Sequence, residues 1–480
     1  MNPGFVASLL ASALIGFLSI WCLAWRPSGL SLSPLLVAFL ALGVGLGLSS
    51  SFFFVWLSLT GAPSPAFALA ELALLVVLGG RALYSKKVRR SQVPPVPVRE
   101  VSTIAPTYRR ALQAALWVGV TCAAATFVVT SATNRHGGWD AWMTWNMHAR
   151  AIFRGGEQWR TVLAGLLAWS HPDYPLLLPG SVARIWTYAG RETALAPASV
   201  AMVFTAATVG VLYASVSTLR SRLQGALAAT LLLATPFFVA HGSSQYADVP
   251  VSFFFLATLV LLCLHEAWPG GGPRLLVLAG LTAGLAAWTK NEGLLFLPAV
   301  LVGHGVVTVR ERGWRPWLRE ARAFATGLAP VLLMLVYFKV SLAPPNDLMS
   351  DQGFRQTAAR LLDGSRYVQV LGGFKTGLSK LGDPGFVGPG WLLLAYLVCV
   401  GFSGAATVRL GARTAAIAVS LMLAGYAAVL LTAPAPLLGT NIRSIDRLLL
   451  QLWPTVIFAY CLWVRSPEEV GDPAQRLSPA

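Results

Sequence analysis

Charged residues are scarce in this chain. They make up 11% of its 480 residues, whereas an average soluble domain has roughly a quarter. Hydrophobic residues account for 56%, and apolar runs of about 20 residues, each long enough to cross a hydrocarbon core of roughly 30 Å, recur from end to end. The short alternating segments of a membrane barrel are missing. This composition argues against a soluble protein and predicts an all-α polytopic membrane protein.

Acidic residues and cysteines are also few. The chain has 19 acidic and 36 basic residues, which gives a net charge of +17. Because the basic residues cluster in short loops between apolar runs, they are typical of the cytoplasmic side of a membrane protein, and no nucleic-acid partner is expected. The five cysteines are widely spaced and confined to apolar runs. They predict neither a disulfide framework nor a cysteine metal cluster.

Hydrophobicity predicts about 13 transmembrane helices. They fall at residues 4–24, 34–58, 64–84, 111–132, 195–217, 223–241, 249–266, 275–290, 293–309, 323–342, 390–408, 414–433 and 447–464. The spans divide the chain into three N-terminal transmembrane helices in 1–84, a basic cytoplasmic linker in 85–110, a transmembrane core in 111–465 with outer loops 133–194 and 343–389, and a cytoplasmic tail in 466–480.

The basic residues predict the orientation. On a thirteen-span topology, one face receives the loops at 85–110 and 310–322, the pairs Arg220/Arg222 and Arg409/Arg413, and Arg465. By the charge rule that face is cytoplasmic, so the N-terminus is expected outside and the C-terminus inside. The outer loops contain amphipathic stretches that predict juxtamembrane helices lying flat on the membrane, at Ala141–Phe153, Tyr174–Tyr188 and Gln356–Leu371.

Polar residues gather at the outer ends of the spans. Ionisable groups are costly near a bilayer, so their concentration indicates a functional site. Asp140 is a lone carboxylate just past the fourth span, between Trp139 and Trp142. Other segments that abut an outer span end contribute His171, Asp173, Tyr174, His241, Tyr246, Asp248, Lys290, Glu292, Arg443 and Arg447. A helical bundle would bring these segments around one cavity.

Each of these residues also has a purely structural interpretation. Asp140 suits a solvated interface, and Asp173 suits a turn or a helix cap. Asp248 suits the N-cap of a span. Lys290 suits snorkelling to the headgroups, and Arg447 suits an interfacial anchor. Their common location on one side of the membrane is what favours a site.

Four motifs follow one another in a familiar order. They are HPDYPLLLP at 171–179, ADVP at 247–250, AGLTAGLAAWTKNEGLLFLP at 279–298 and RLLLQLWP at 447–454. Their order resembles the GT-C superfamily of polyprenol-phosphate-sugar-dependent glycosyltransferases. The likeness covers about residues 111–465 and is closest to the branch with bacterial protein O-mannosyltransferases and lipid A aminoarabinose transferases. The segment around TKNEG is its most specific piece.

Two motifs depart from the family pattern. Asp140 is followed by Ala141, where those families usually have an Asp-Glu pair. His171-Pro172-Asp173 stands where the protein mannosyltransferases have His-Pro-Pro. The three N-terminal helices lie outside the match. The subfamily and the acceptor therefore stay open.

The resemblance implies a reaction and roles for the polar residues. The donor would be a sugar on a polyprenyl phosphate, transferred with inversion to an acceptor hydroxyl on the periplasmic face of a bacterial inner membrane. Asp140 would be the general base, with its pKa raised by the desolvating tryptophans. Lys290 would stabilise the leaving phosphate, with Arg447 or Arg443 as second choice. The residues expected to bind sugar or acceptor, or to support the cations, are Trp139, Trp142, His171, Asp173, Tyr174, Tyr246, Asp248 and Glu292.

No resident cofactor is expected. His171, Asp173 and His241 are able to meet in space, which leaves a divalent metal as an alternative, but their spacing has no ligand signature. The expected partners are the lipid bilayer, the polyprenyl-phosphate sugar, and a lipid, glycan or protein acceptor.

Three rival functions stay open. One is a transporter or flippase of a lipid-linked sugar, although the internal repeats typical of transporters are missing from the sequence. Another is a polysaccharide ligase or polymerase, which would use outer-loop arginines such as Arg355, Arg360 and Arg366. The third is a structural membrane subunit without chemistry.

Overall fold

A computed structural model describes residues 2–24, 32–88, 105–164, 169–268, 272–346, 353–381 and 388–471. Within these ranges the protein is almost entirely helical, and the one β-contact is an isolated bridge between Phe402 and Val464. The prediction of an all-α polytopic protein is confirmed. Most of the predicted linker (89–104) and the end of the predicted tail (472–480) lie outside the described residues.

Twenty α-helices follow one another along the described chain. The first half comprises α1 (Pro3–Ala24), α2 (Pro34–Thr60), α3 (Phe67–Val88), α4 (Pro106–Thr133), α5 (Asn146–Gly155), α6 (Leu177–Ala189), α7 (Leu195–Leu219), α8 (Arg222–Leu233), α9 (Pro236–Ser243) and α10 (Asp248–Ala267). The second half comprises α11 (Arg274–Thr289), α12 (Glu292–Arg312), α13 (Trp314–Ser341), α14 (Phe354–Leu362), α15 (Gly364–Lys380), α16 (Pro389–Val400), α17 (Ala406–Thr432), α18 (Ala435–Arg443), α19 (Ile445–Trp463) and α20 (Pro467–Gly471). A π-helical turn (Ala141–Trp145) precedes α5, and a 3₁₀ segment (Gly156–Leu163) follows it.

Helix α10 lies at the centre of the bundle. It is apolar on all sides, which is the pattern of a helix surrounded by other helices, and its residues from Asp248 to Glu266 are buried. Helices α7, α11, α17 and α19 pack around it. Its first residue, Asp248, and its penultimate one, Glu266, define the two ends of the bundle used below, the Asp248 end and the Glu266 end.

The number of membrane crossings differs from the predicted thirteen. Ten of the described helices are long and apolar enough to span, or eleven if α8 and α9, which meet at a 66° bend, form one span. The other two predicted spans correspond to the shorter apolar helices α11 and α16. All thirteen predicted segments are therefore helical, but the count of thirteen crossings is not confirmed.

Two of the predicted juxtamembrane helices are not as expected. Helix α6 does not lie on a surface, because residues 177–187 are buried and the helix packs against α1, α2, α5 and α7. Its polar residues face partners inside the protein instead of water. The stretch predicted at Gln356–Leu371 is two helices, since Asp363 ends α14 and accepts a hydrogen bond from the Ser365 amide at the start of α15 (3.0 Å).

The N-terminal helices are joined to the core by a buried ion pair. Glu71 of α3 and Arg184 of α6 are both inaccessible to solvent, and their closest atoms, Arg184 Nη2 and Glu71 Oε2, are 2.6 Å apart. The Tyr188 hydroxyl also donates to Glu71, and Arg184 Nη2 donates to the Ser8 carbonyl of α1 (3.0 Å). This network fixes α1 and α3 against the loop region that follows α4.

Candidate active site

Asp248 is the centre of a buried network of charges. Its carboxylate accepts hydrogen bonds from Lys290 Nζ (3.0 Å), Arg447 Nε (2.9 Å) and Gln451 Nε2 (2.8 Å). The N-cap of α10 is Ala247, and Asp248 is the first residue of the helix. The N-cap interpretation of Asp248 is therefore wrong, and its oxygens bind side chains from two other segments, Lys290 after α11 and two residues of α19.

Arg447 connects this buried network to Asp140. Its Nη2 lies 2.6 Å from Asp140 Oδ2 and 2.8 Å from Asp248 Oδ2, and its guanidinium lies over the Tyr246 ring at 4.8 Å. The side chain of Asp140 is 31% exposed. Trp139 and Trp142, expected to desolvate Asp140, are themselves 68% and 51% exposed. The carboxylate thus faces a cation and solvent, not an apolar wall.

Short-range geometry explains how Asp140 reaches Arg447. The Gly138 amide donates to the Ser244 carbonyl (2.9 Å), and a Cβ at Gly138 would lie 2.6 Å from the Tyr246 hydroxyl oxygen. Asn146 then donates to the Gln245 side chain (2.8 Å). The residues between Asp140 and Asn146 form the π-helical turn Ala141–Trp145, and such turns are common at functional sites. The loop after α4 is thereby held against the loop between α9 and α10.

Lys290 lies deeper than Arg447. Its Nζ contacts Asp248 Oδ1 (3.0 Å) and Glu292 Oε1 (2.8 Å), and 6% of its side chain is exposed. Burial opposes its charge, yet the two carboxylates raise the pKa of Lys290 above its ordinary value. The snorkelling interpretation is wrong, because the ammonium is held inside the protein.

Aromatic and amide side chains complete the wall around Lys290. The Tyr174 ring lies 5.9 Å from the ammonium and stacks on Trp145. Burial raises the pKa of Tyr174 well above its ordinary value, so its hydroxyl stays protonated. Gln451 donates to both Asp248 and Glu292, and its amide oxygen accepts from the Tyr426 hydroxyl (3.0 Å). Tyr174 is therefore engaged by neighbours and offers less ring surface to a sugar than expected.

Asp173 anchors a second polar group beside the first. Its carboxylate accepts from the Asn291 amide (2.7 Å) and the Asn346 amide (2.6 Å). Lys339 of α13 donates to the Asp173 carbonyl and to Asn291 Oδ1 (2.7 Å). Asn291 lies between Lys290 and Glu292 in sequence, so the two groups share one turn of chain. Asp173 lies in a turn, as its structural interpretation expected, since the Tyr174 amide donates to the His171 carbonyl (3.0 Å), and its carboxylate in addition accepts from two side-chain amides.

The predicted site residues fall into three sets. One set is directly connected through the Asp248 network and comprises Asp140, Tyr174, Tyr246, Asp248, Lys290, Glu292 and Arg447. Asp173 is adjacent, and Trp139 and Trp142 form an exposed pair beside Asp140. The third set is outside the network: Arg443 is exposed and donates to the Gly439 carbonyl, and His171 is exposed with its ring against Tyr174.

Four polar residues of the site had no role in the sequence-based prediction. Gln451 lies four residues after Arg447 on the same helix, which puts both side chains on one face, and this spacing was the available signal. Lys339 is an ionisable residue at the end of a span, another usable signal. Asn291 stands between Lys290 and Glu292 in the TKNEG segment, among the polar residues at the outer ends of the spans, and that position was its signal. Tyr426 carries no such mark and is recognised only from its contact with Gln451.

The alternative metal site is not assembled. Among the described residues, His171, Asp173 and His241 do not form a group with ligand atoms close together. His241 instead has its Nδ1 3.0 Å from the Phe237 carbonyl oxygen. The histidine and carboxylate atoms that do lie at such distances belong to Glu266, His304 and Glu320, at the opposite end of α10.

Comparison with known proteins gives one match. Residues 175–338 match the family described as dolichyl-phosphate-mannose-protein mannosyltransferase. The match supports membership of the GT-C superfamily. No curated protein and no solved structure matches the chain significantly.

The match extends from the start of α6 to the end of α13. It therefore supports a membrane glycosyltransferase of the GT-C type, and it contains Asp248, Lys290 and Glu292. It does not contain Asp140 or Arg447. Arg447 contacts the matched segment at Asp248 and Tyr246, and Asp140 pairs with Arg447.

Proposed function

We propose that this GT-C protein transfers a sugar from a polyprenyl-phosphate donor to an acceptor hydroxyl, with inversion, on the periplasmic side of a bacterial plasma membrane. The observation that carries the proposal is the Asp140–Arg447–Asp248 chain of ion pairs. It combines one partly exposed carboxylate with one partly exposed cation at the same end of the bundle. Transfer from a phosphate leaving group requires a base and a cation, and both are present at this end of the bundle.

Asp140 serves as the base. Its carboxylate accepts the proton of the acceptor hydroxyl while the acceptor oxygen forms a bond to the anomeric carbon. The bond from the anomeric carbon to the phosphate oxygen breaks, and its electron pair leaves with the polyprenyl phosphate. Attack from the face opposite the phosphate inverts the anomeric centre.

Arg447 serves as the cation that meets the phosphate. Its side chain is 19% exposed, against 6% for Lys290, so geometry favours Arg447 over the lysine that the sequence put first. A guanidinium binds phosphate oxygens with two parallel hydrogen bonds. A donor phosphate would draw Arg447 away from Asp140 and leave that carboxylate free to accept a proton. Lys290, held by two carboxylates, keeps Asp248 ionised and in position.

The lipid chain requires an apolar surface next to these charges. A cleft beside the network is lined by Leu178, Val182, Val200, Tyr246 and Pro250, among others. It lies between α6, α7 and the start of α10. Its volume of about 10 Å³ admits no more than a water molecule, and Asn146 and Gln245 also line it, so a prenyl chain would enter there only after α6, α7 and α10 move apart.

Release of free polyprenyl phosphate tests the proposal. Purified protein in detergent would be given short-chain polyprenyl-phosphate sugars of several hexoses and pentoses, with lipid, glycan and peptide acceptors. We expect release by the wild type and a loss of about 10²–10⁴-fold in Asp140→Asn, the range that removal of a general base produces. Asp363→Asn is the matched control, since Asp363 is an exposed carboxylate at the start of α15, and it should retain full activity.

Two outcomes would contradict the proposal. Full activity in Asp140→Asn would exclude Asp140 as the base. Binding of the donor without release of phosphate would favour a transporter or the ligation of a preassembled glycan. The arginines that suggested a ligase give that rival little support, because Arg360 and Arg366 donate to carbonyls at the end of α17.

A further inference from the structure

A second charged cluster lies at the Glu266 end of the bundle. Glu266 is 18 residues after Asp248 on α10 (266 − 248), which at 1.5 Å per residue places it about 27 Å away. His304 of α12 has Nδ1 3.5 Å from Glu266 Oε1 and Nε2 3.0 Å from Glu320 Oε2 of α13. His265 Nε2 lies 3.6 Å from Glu320 Oε1. The cluster has no part in the proposed sugar transfer.

Several atoms of this cluster are buried and lack hydrogen bonds. Glu266 and His304 are 7% and 5% exposed. Among the described residues, Glu266 Oε2, His304 Nδ1 and His265 Nδ1 are buried atoms that make no hydrogen bond. Buried polar atoms are nearly always paired, so three unpaired ones in one cluster point to a missing partner. A bound cation would supply that partner for a carboxylate oxygen and an imidazole nitrogen.

We propose that Glu266, His304 and Glu320 form a binding site for a divalent transition metal of the Zn²⁺ class. One ligand atom from each residue can be chosen so that all three lie within 4.8 Å of one another. Tetrahedral zinc with bonds of about 2.0–2.2 Å has its ligands about 3.4 Å apart, so binding would draw the ligand atoms together by up to about 1.4 Å. Mixed imidazole and carboxylate ligands suit zinc better than magnesium or calcium, which prefer oxygen alone. Water completes the coordination.

Arg312 competes with the metal for the same carboxylates. Its Nη2 lies 2.8 Å from Glu266 Oε1 and its Nη1 lies 2.8 Å from Glu320 Oε1. The two carboxylates and the guanidinium sum to a charge of −1 (−2 + 1), so an attractive potential for a cation persists. Arg312 is 30% exposed at the end of α12 and can swing into water. Metal binding therefore displaces Arg312 and ties α10, α12 and α13 together directly.

Direct metal measurement on the purified, untagged full-length chain tests the site. The protein in detergent would be stripped with a chelator, dialysed against Zn²⁺, and its metal content measured. We expect about one Zn²⁺ per chain in the wild type and a loss of at least tenfold in affinity in His304→Gln and in Glu320→Gln. Arg312→Ala should bind more tightly than the wild type, because it removes the competing cation. Replacement of Zn²⁺ by Co²⁺ should give a visible absorption band that disappears in His304→Gln.

Two further variants distinguish this site from metal binding elsewhere on the protein. His241→Gln removes a histidine at the Asp248 end and should leave the metal content unchanged. Glu320 is more exposed than His304 (12% against 6% of the side chain). Glu320→Gln is therefore expected to keep the fold even if His304→Gln does not. No stoichiometric binding by the wild type would overturn the proposal, as would binding that persists in both Glu320→Gln and His304→Gln. Tighter binding in Arg312→Ala cannot arise from a site elsewhere.

Discussion

At the scale of single residues, Asp248 organises the candidate site. A fully buried carboxylate is stable only when its charge is paired, and Asp248 has Lys290, Arg447 and Gln451 around it. The buried side chains of Lys290 and Gln451 are thereby fixed in turn. Arg447 is the partly exposed partner of Asp248. It bridges Asp248 and Asp140, and of the three partners it is the side chain most able to move.

Arg447→Lys tests this bridging role. The variant keeps the positive charge but loses the forked geometry that contacts two carboxylates and a phosphate. We expect kcat to fall by about 10²-fold, a range typical for loss of one transition-state donor, with a smaller change in KM for the donor. Steady-state kinetics of phosphate release would measure both constants. An unchanged kcat would mean that Arg447 is structural only.

His148 should make stability depend on pH. Burial, and then the nearby His171, lower the pKa of His148 from 6.5 to about 4. The unfolded chain therefore binds the proton more readily than the native protein does. The contribution of neutral His148 to the free energy of unfolding is fully present above about pH 6.5, and it is lost progressively as the pH falls towards about 4. The native structure should weaken across that window.

Thermal unfolding of the wild type and His148→Gln would measure this effect. Glutamine does not titrate and can retain a hydrogen bond to Ser170, the neighbour of His148 Nε2 at 3.3 Å. The unfolding temperature of the variant should change less than that of the wild type between pH 6.5 and 4. Parallel pH curves would show that His148 is not the titrating group.

At the scale of helices, close backbone contact and buried charge hold the bundle together. Helices α11 and α13 approach so closely that a Cβ at Gly280 would lie 1.9 Å from the Phe324 carbonyl oxygen. Small residues allow such contact in membrane proteins. Between α3 and α6 the connection is instead the Glu71–Arg184 ion pair. Close packing at a glycine and a buried ion pair respond differently to mutation.

Breaking the Glu71–Arg184 pair on one side should be costly. Glu71→Gln leaves a buried guanidinium without its counter-charge. We therefore expect the free energy of unfolding to fall by about 3–5 kcal/mol. The double variant Glu71→Leu/Arg184→Met removes both charges and should recover most of that loss. Denaturation of both variants in detergent would measure the difference. Equal destabilisation by the single and double variants would show that the charge itself is not the cause.

At the scale of the whole molecule, the charged clusters lie at opposite ends of one bundle. Because Lys290 at the end of α11 contacts Asp248 at the start of α10, α11 returns the chain from the Glu266 end to the Asp248 end. Ten spans would leave both termini on one side of the membrane, whereas eleven or thirteen would separate them. The basic loops predict which end is cytoplasmic, namely the Glu266 end.

Cysteine labelling in intact cells would test this orientation. In a cysteine-free background, Glu157→Cys lies in the predicted outer loop and Arg315→Cys in the predicted cytoplasmic loop, and both residues are exposed. A membrane-impermeant maleimide should label the first variant in intact cells and the second only after permeabilisation. The reverse pattern would place the Asp248 end in the cytoplasm.

The sequence by itself determined the helices and the inventory of reactive groups. Every predicted span is helical. A long apolar run lies in the hydrocarbon core, where no water is available, so its backbone must form its own hydrogen bonds, and a helix does so. The family resemblance likewise rested on local motifs, one of which contains Lys290 and Glu292.

Only the tertiary structure decided which of these groups meet. Arg447 and Asp248 are 199 residues apart in sequence, and Arg184 and Glu71 are 113 apart. Such contacts depend on the rotation and packing of each helix against its neighbours, which hydrophobicity does not specify. For the same reason Arg443 was expected in the site and lies outside it, whereas Gln451 and Lys339 were not expected and lie within it.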